Sequence, residues 1–180
     1  MADATDTIAM GEVLQLMNIH DADLAVADYL RVIRFKTAKL FEASARLGAV
    51  LAGVDLDIEE CCADYGRSLG TAFQLVDDLL DYEGDPHALG KNVGDDLREG
   101  KPTLPLLYAM KNGTTEQAAA IRHAIEHGEV QGLPQIVDVV RRTGALDATR
   151  AVAQLEADQA RRCLRVLSQS SAREALLELC

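Results

Sequence analysis

No tryptophan occurs in the 180 residues, and phenylalanine and tyrosine together make up only 4%. A core built from so few rings must rest on alanine and leucine, which favours helices over strands. Proline appears four times, so long helices can run without a break. No apolar run approaches the roughly 18 residues a membrane span needs, and no membrane segment is expected. The N-terminus lacks the basic-then-apolar pattern of a secretory signal. Basic residues are in the minority, 18 against 29 acidic, for a net charge of −11. Phosphate-backbone binding needs a basic face, so a nucleic-acid partner is excluded. The four cysteines include the adjacent pair Cys61 and Cys62 and form no C-x-x-C spacing. They read as reduced thiols of a cytoplasmic protein rather than a metal or disulfide framework.

Apolar residues make up 48% and charged residues 26%, the composition of one globular domain spanning 1–180. Periodicity places a first helix from about Thr5 to Met17, with Glu12 and Gln15 as its notable polar positions. After a turn holding a possible aspartate N-cap, a long helix is expected from about Ala25 to Leu51. Its apolar stripe would be Val26, Leu30, Ile33, Thr37, Leu40, Ser44, Leu47 and Leu51. A third helix opens at Asp57-Ile58-Glu59-Glu60, which resembles a capping box, and continues to about Tyr82. Beyond the loop from Gly84 to Lys101, Thr103 caps a helix with Pro105 in its first turn. Further helices follow near Thr115–His127, Pro134–Arg142 and Leu146–Leu167, then a terminal piece. His123 and His127 share a face without a third ligand and read as a surface pair.

The chemically suggestive stretch is Phe73-Gln74-Leu75-Val76-Asp77-Asp78-Leu79-Leu80-Asp81. At about 100° per residue, Gln74, Asp77, Asp78 and Asp81 fall within roughly a 100° arc of one helix. The apolar stripe Ile58, Cys62, Tyr65, Leu69, Ala72, Val76 and Leu79 would lie opposite. Clustered carboxylates raise one another's pKa unless a cation sits among them. Such hard oxygen donors suit Mg²⁺ held by a few carboxylates plus substrate phosphate oxygens. Taken alone, the cluster reads first as the solvated face of an amphipathic helix. Lys36, close to the long helix's apolar stripe, either snorkels or meets an anion such as a diphosphate. Gly66 and Gly70 point to close approach by a ligand or another helix. The loop Gly90-Lys91-Asn92-Val93-Gly94-Asp95-Asp96-Leu97-Arg98-Glu99-Gly100-Lys101 brings two lysines after the acidic helix. Its glycine spacing is not that of a nucleotide P-loop.

Together these pieces resemble the trans-isoprenyl (polyprenyl) diphosphate synthase family. The resemblance rests on Tyr29-Leu30-Arg31-Val32-Ile33-Arg34-Phe35-Lys36-Thr37-Ala38-Lys39-Leu40-Phe41, on Gly70 to Asp81, on Gly90 to Leu97, and on Gly100-Lys101-Pro102-Thr103-Leu104-Pro105. Gly11-Glu12-Val13-Leu14-Gln15-Leu16 also fits. The resemblance implies an all-α, isoprenoid-synthase-type helical bundle around a central cavity, paired as a homodimer. It implies transfer of an allylic prenyl diphosphate onto isopentenyl diphosphate, with a long-chain, octaprenyl product for quinone side chains. By this resemblance Asp77 ligates Mg²⁺, and Asp78 and Asp81 ligate it directly or orient metal-bound waters. Lys36, Lys91 and Lys101 hold diphosphate, Thr37 and Gln74 lie beside the reacting carbon, and Phe73 walls the cavity. Gln15 stands where shorter-chain relatives place an aspartate, and its role stays open. The family's earlier aspartate-rich motif is not among these residues, whose only Asp-Asp pairs are Asp77-Asp78 and Asp95-Asp96. The expectation is therefore the C-terminal portion of a synthase, its N-terminal helices missing, with little turnover by itself. The alternative is a non-catalytic prenyl-diphosphate-binding subunit docking on an active partner.

Overall fold

A computed structural model describes residues 2–83, 94–128 and 132–180. Among them every regular element is a helix, so the fold is all-α as expected. The helices are α1 (Ala2–Asn18), α2 (Val26–Ile33), a π segment (Arg34–Ala38), α3 (Lys39–Ala52) and α4 (Leu56–Glu83). Then come α5 (Asp95–Arg98), α6 (Leu104–Asn112), α7 (Thr115–His127), α8 (Leu133–Arg142) and α9 (Ala145–Cys163). A 3₁₀ turn (Leu164–Val166) and α10 (Ser171–Glu178) end the chain. Among the described residues no helix is long and apolar enough to cross a membrane.

Local chemistry explains most of these boundaries. Thr114 and Gln117 form a reciprocal capping box at the start of α7, and Gly128 ends that helix in the left-handed region. Pro105 and Pro134 occupy first turns, where a missing N–H costs nothing. Two expected caps are corrected. The amides of Ile58 and Glu59 bond the Asp55 carbonyl, so α4 starts at Leu56 and Asp57 lies inside its first turn. Ala25 takes the equivalent place before α2. The nearby aspartates are used otherwise, Asp23 pairing with Arg122.

The long helix expected over Ala25–Leu51 is interrupted by the π segment at Lys36 and Thr37. A π turn takes in one extra residue and rotates the helix beyond it by about 100°. Ile33 is buried as expected, but beyond the insertion Leu40, Leu47 and Leu51 are exposed. The fully packed positions are Ala38 and Ala49, one to two residues later than the straight periodicity foretells.

The chain gathers into two compact units. The first comprises Met1–Glu12, Arg31–Gln74 and Val152–Cys180. There Tyr65 packs with Ala160, Cys163 and Leu164, and its hydroxyl donates to the Leu176 carbonyl at 3.1 Å. Gly66 and Gly70 let α4 lie directly on α3: a Cβ at Gly66 would stand 2.3 Å from the Phe41 carbonyl oxygen, and one at Gly70 2.7 Å from the Ala38 Cα. Of the two readings of these glycines, approach by another helix is the one found here. The second unit comprises Val13–Leu30 and Leu75–Ala151. Its core joins Leu79, Tyr82, Leu97, Leu106, Ile121, Ile125 and Val140. Arg141 donates to the Tyr82 carbonyl at 2.8 and 3.2 Å, and Arg150 pairs with Glu83 at 2.5 Å. Two arginines thus hold the C-terminal end of α4, where free carbonyls favour cations.

Candidate active site

In the first unit, the glycine contacts bring Thr37 to Gln74. The Thr37 hydroxyl donates to the Gln74 side-chain carbonyl at 2.9 Å. Lys36 extends beside α1 and pairs with Glu12 at 3.2 Å, its side chain 32% exposed. Gly11 makes this possible, because a Cβ there would stand 2.5 Å from the Lys36 amide nitrogen. Phe73 is 57% exposed, and its ring lies 5.6 Å from that of Phe41. A π insertion aiming a lysine and a threonine is the kind of irregularity that recurs at functional sites.

In the second unit, the three aspartates of α4 have three different surroundings. Asp77 is half-buried. Asp78 is 3% exposed and accepts the Tyr29 hydroxyl on Oδ2 at 2.5 Å. The acidic arc is therefore not a solvent face: Asp78 lies on the buried side with Leu75 and Tyr82, whereas Val76 of the expected apolar stripe is exposed. Asp81 accepts the backbone amides of Asp95 and Asp96 at 3.1 and 3.3 Å and so caps α5. Its carbonyl also takes the Gly94 amide.

Asp96, to which the motif spacing assigned no role, joins this group. Its carboxylate takes Lys101 Nζ at 3.1 Å, and Lys101 also reaches Glu99 at 2.6 Å. Burial, then the charge of Asp96, pushes Asp81 up to about 6. Burial likewise raises Asp96, although Lys101 opposes it. Burial raises Tyr29 well above the ordinary phenol range, and Asp78, Asp96 and Asp77 add to the effect. Lys101 loses from burial but gains more from Glu99 and Asp96, so its proton is held more firmly than usual.

Among the described residues no three His, Cys, Asp or Glu side chains stand close enough to cage a metal ion. The geometry accounts for this, since the oxygens of Asp81 face amides and one of Asp78 faces a phenol. The group still fits a hard divalent cation in kind. It offers only oxygen donors, and acids raised by burial, with a smaller part from neighbouring carboxylates, are what a cation relieves. Mg²⁺ commonly keeps waters and takes only one or two carboxylates besides substrate oxygens. Of the residues expected at the site, Lys36, Thr37, Phe73 and Gln74 belong to the first unit, and Asp77, Asp78, Asp81 and Lys101 to the second. Lys91 lies outside the described residues. Tyr29, seven residues before Lys36, also went without a role. Its pairing with a carboxylate 49 residues away has no local signal.

A sequence model described as Polyprenyl synthetase matches residues 1–140. The octaprenyl diphosphate synthase of Escherichia coli (strain K12) is 54% identical over 180 residues, covering 99% of this chain and 56% of that protein. The octaprenyl diphosphate synthase of Haemophilus influenzae is 49% identical over 99% of this chain and 55% of that protein. Among solved structures, a polyprenyl synthase from Caulobacter crescentus CB15, complexed with calcium and isoprenyl diphosphate, superposes with a TM-score of 0.93 at 47% identity. It matches 99% of this chain and 55% of its own. A decaprenyl diphosphate synthase from Rhodobacter capsulatus gives a TM-score of 0.91 at 40% identity, over 99% of this chain and 55% of its own. The chain thus spans about half the length of the relatives it matches. With the acidic helix, the π-bulged lysine–threonine pair and these likenesses together, the chain belongs to the polyprenyl synthetase family.

Proposed function

We propose that these 180 residues are the C-terminal portion of one domain of a Mg²⁺-dependent trans-prenyltransferase making a long-chain, octaprenyl, diphosphate for quinone side chains. The enzyme would be a cytoplasmic homodimer. The observation that carries the reading is the acid group where α4 meets α5: Asp78 buried against Tyr29, Asp81 raised and capping α5, and Asp96 raised and paired with Lys101. The octaprenyl diphosphate synthases among the relatives support the product class.

In this reading Asp77 and Asp78 hold Mg²⁺, and Asp81 acts through bound water while it caps α5. The bound cation would supply Lewis-acid stabilisation of a departing diphosphate. Lys36, Lys91 and Lys101 neutralise the phosphates and orient them. Lys36 would exchange Glu12, and Lys101 would exchange Glu99, for phosphate oxygens. The dipoles of Thr37 and Gln74, already locked to each other, face the positive charge that develops at the allylic carbon. Phe73 lines an apolar wall that keeps water from that carbon.

The test is the thermal midpoint with and without Mg²⁺ plus farnesyl diphosphate. Ligand at about 100 times its dissociation constant adds about 2.7 kcal/mol. For a chain of this size that is a rise of roughly 5–10 °C. Asp77→Ala should abolish the rise, and an absence of any rise in the unsubstituted chain would overturn the reading. We also expect little prenyl transfer by the 180 residues alone. Turnover by that polypeptide, abolished in Asp77→Ala, would refute this last point while supporting the metal site.

A further inference from the structure

We propose that Tyr29 positions Asp78 for cation binding, a role that rests on the reading of the α4 acids as a divalent-metal site. Tyr29 stands on α2, 5% exposed, and Asp78 on α4, 3% exposed, both in the second unit. The phenol donates to Oδ2 at 2.5 Å, a charge-assisted hydrogen bond in a water-poor setting. With Oδ2 accepting the phenol, rotation of the Asp78 carboxylate is restrained. Asp81 is oriented in the same manner by the amides of Asp95 and Asp96. Asp78 and Asp81 are therefore each oriented by protein hydrogen-bond donors. Ligating carboxylates are ordinarily held by hydrogen bonds of this sort, and losing one typically weakens metal affinity about 10–100-fold.

The experiment is a Mn²⁺ titration of the 180-residue chain, with free Mn²⁺ read by electron paramagnetic resonance. It compares Tyr29→Phe, Asp78→Asn, the double variant and Asp77→Ala. Tyr29→Phe should weaken Mn²⁺ binding by about tenfold or more. Added to Asp78→Asn it should do nothing further, because the phenol acts only through that carboxylate. A merely structural role would instead leave Mn²⁺ affinity unmoved or add to Asp78→Asn, and either result overturns the proposal. If the unsubstituted chain binds no Mn²⁺ that Asp77→Ala removes, the metal reading itself falls and takes this one with it. Normal affinity in Tyr29→Phe beside lost affinity in Asp77→Ala sinks the positioning role alone. A second measurement needs no variant. The chain has no tryptophan, so its near-ultraviolet absorption reports tyrosine. Mn²⁺ should perturb that spectrum, and an unchanged spectrum at saturation would overturn the coupling.

Discussion

Adding one methyl group at Gly66 or at Gly48 should have opposite consequences. Gly66 packs α4 on α3 so closely that a Cβ would stand 2.3 Å from the Phe41 carbonyl oxygen, 2.7 Å from its carbon and 2.8 Å from the Glu42 Cα. All three are backbone atoms, so no side chain can swing away and the helices must part. Overpacking of this sort costs about 1–3 kcal/mol and occasionally more. Against it stands the gain in helix propensity of Ala over Gly, about 1 kcal/mol. Because separation of the backbones also strains the Gly70 contact one turn on, we place Gly66→Ala at about 1–3 kcal/mol net destabilising. That corresponds to a fall in midpoint of roughly 2–12 °C. At Gly48, in the middle of α3, nothing lies within 4 Å of the added Cβ. Only the propensity gain remains, so Gly48→Ala should stabilise by about 1 kcal/mol. Urea and thermal denaturation followed by circular dichroism measure both. Equal stabilisation by the two substitutions would refute the close packing of α3 on α4, and with it the contact that brings Thr37 to Gln74.

Asp81→Asn tests the acid cluster by pH. The folded pKa of about 6 exceeds the ordinary 3.8, so the native state holds this proton more tightly than the unfolded chain does. Its contribution is complete below about pH 4 and is lost as pH rises through about 6. A two-unit shift is worth about 3 kcal/mol. Partial exposure reduces that to about 1–2 kcal/mol. In metal-free buffer the unsubstituted chain should therefore lose ground to Asp81→Asn between about pH 4.5 and 7, by about 1–2 kcal/mol in urea titrations. A difference independent of pH would refute the shift. Thr37→Val keeps the shape and removes the donor to Gln74, which should cost about 1 kcal/mol in the same assay. His20, at φ 67°, bonds the Ile125 carbonyl through Nδ1 and the Gly100 carbonyl through its amide. His20→Ala should lose about 1–2 kcal/mol from the ring hydrogen bond and the left-handed backbone together. His20→Asn should lose less, because asparagine tolerates that conformation; equal losses would argue against a backbone contribution.

Much of this protein is dictated by local chemistry written into the chain. The bounds of α7 at Thr115 and His127 agree residue for residue, because the capping box and the terminal Gly128 act within a turn of the helix they delimit. The spacing of Asp77, Asp78 and Asp81 on one helix is likewise local, as is the pairing of a first-turn proline with Thr103 at the start of α6. What the tertiary structure alone decided involves partners distant along the chain or an irregularity that periodicity does not foresee. One extra residue in the π segment rotated α3, so the apolar stripe read from Leu40 to Leu51 faces solvent while the small Ala38 and Ala49 are packed. Asp78 accepts the phenol of Tyr29, 49 residues away, and Asp81 caps α5 because the chain returns to it at Asp95 and Asp96. Charge and spacing in the sequence determined that a carboxylate cluster would exist on α4. Which of those carboxylates is screened, tied or raised in pKa depended on the groups that folding placed around each one.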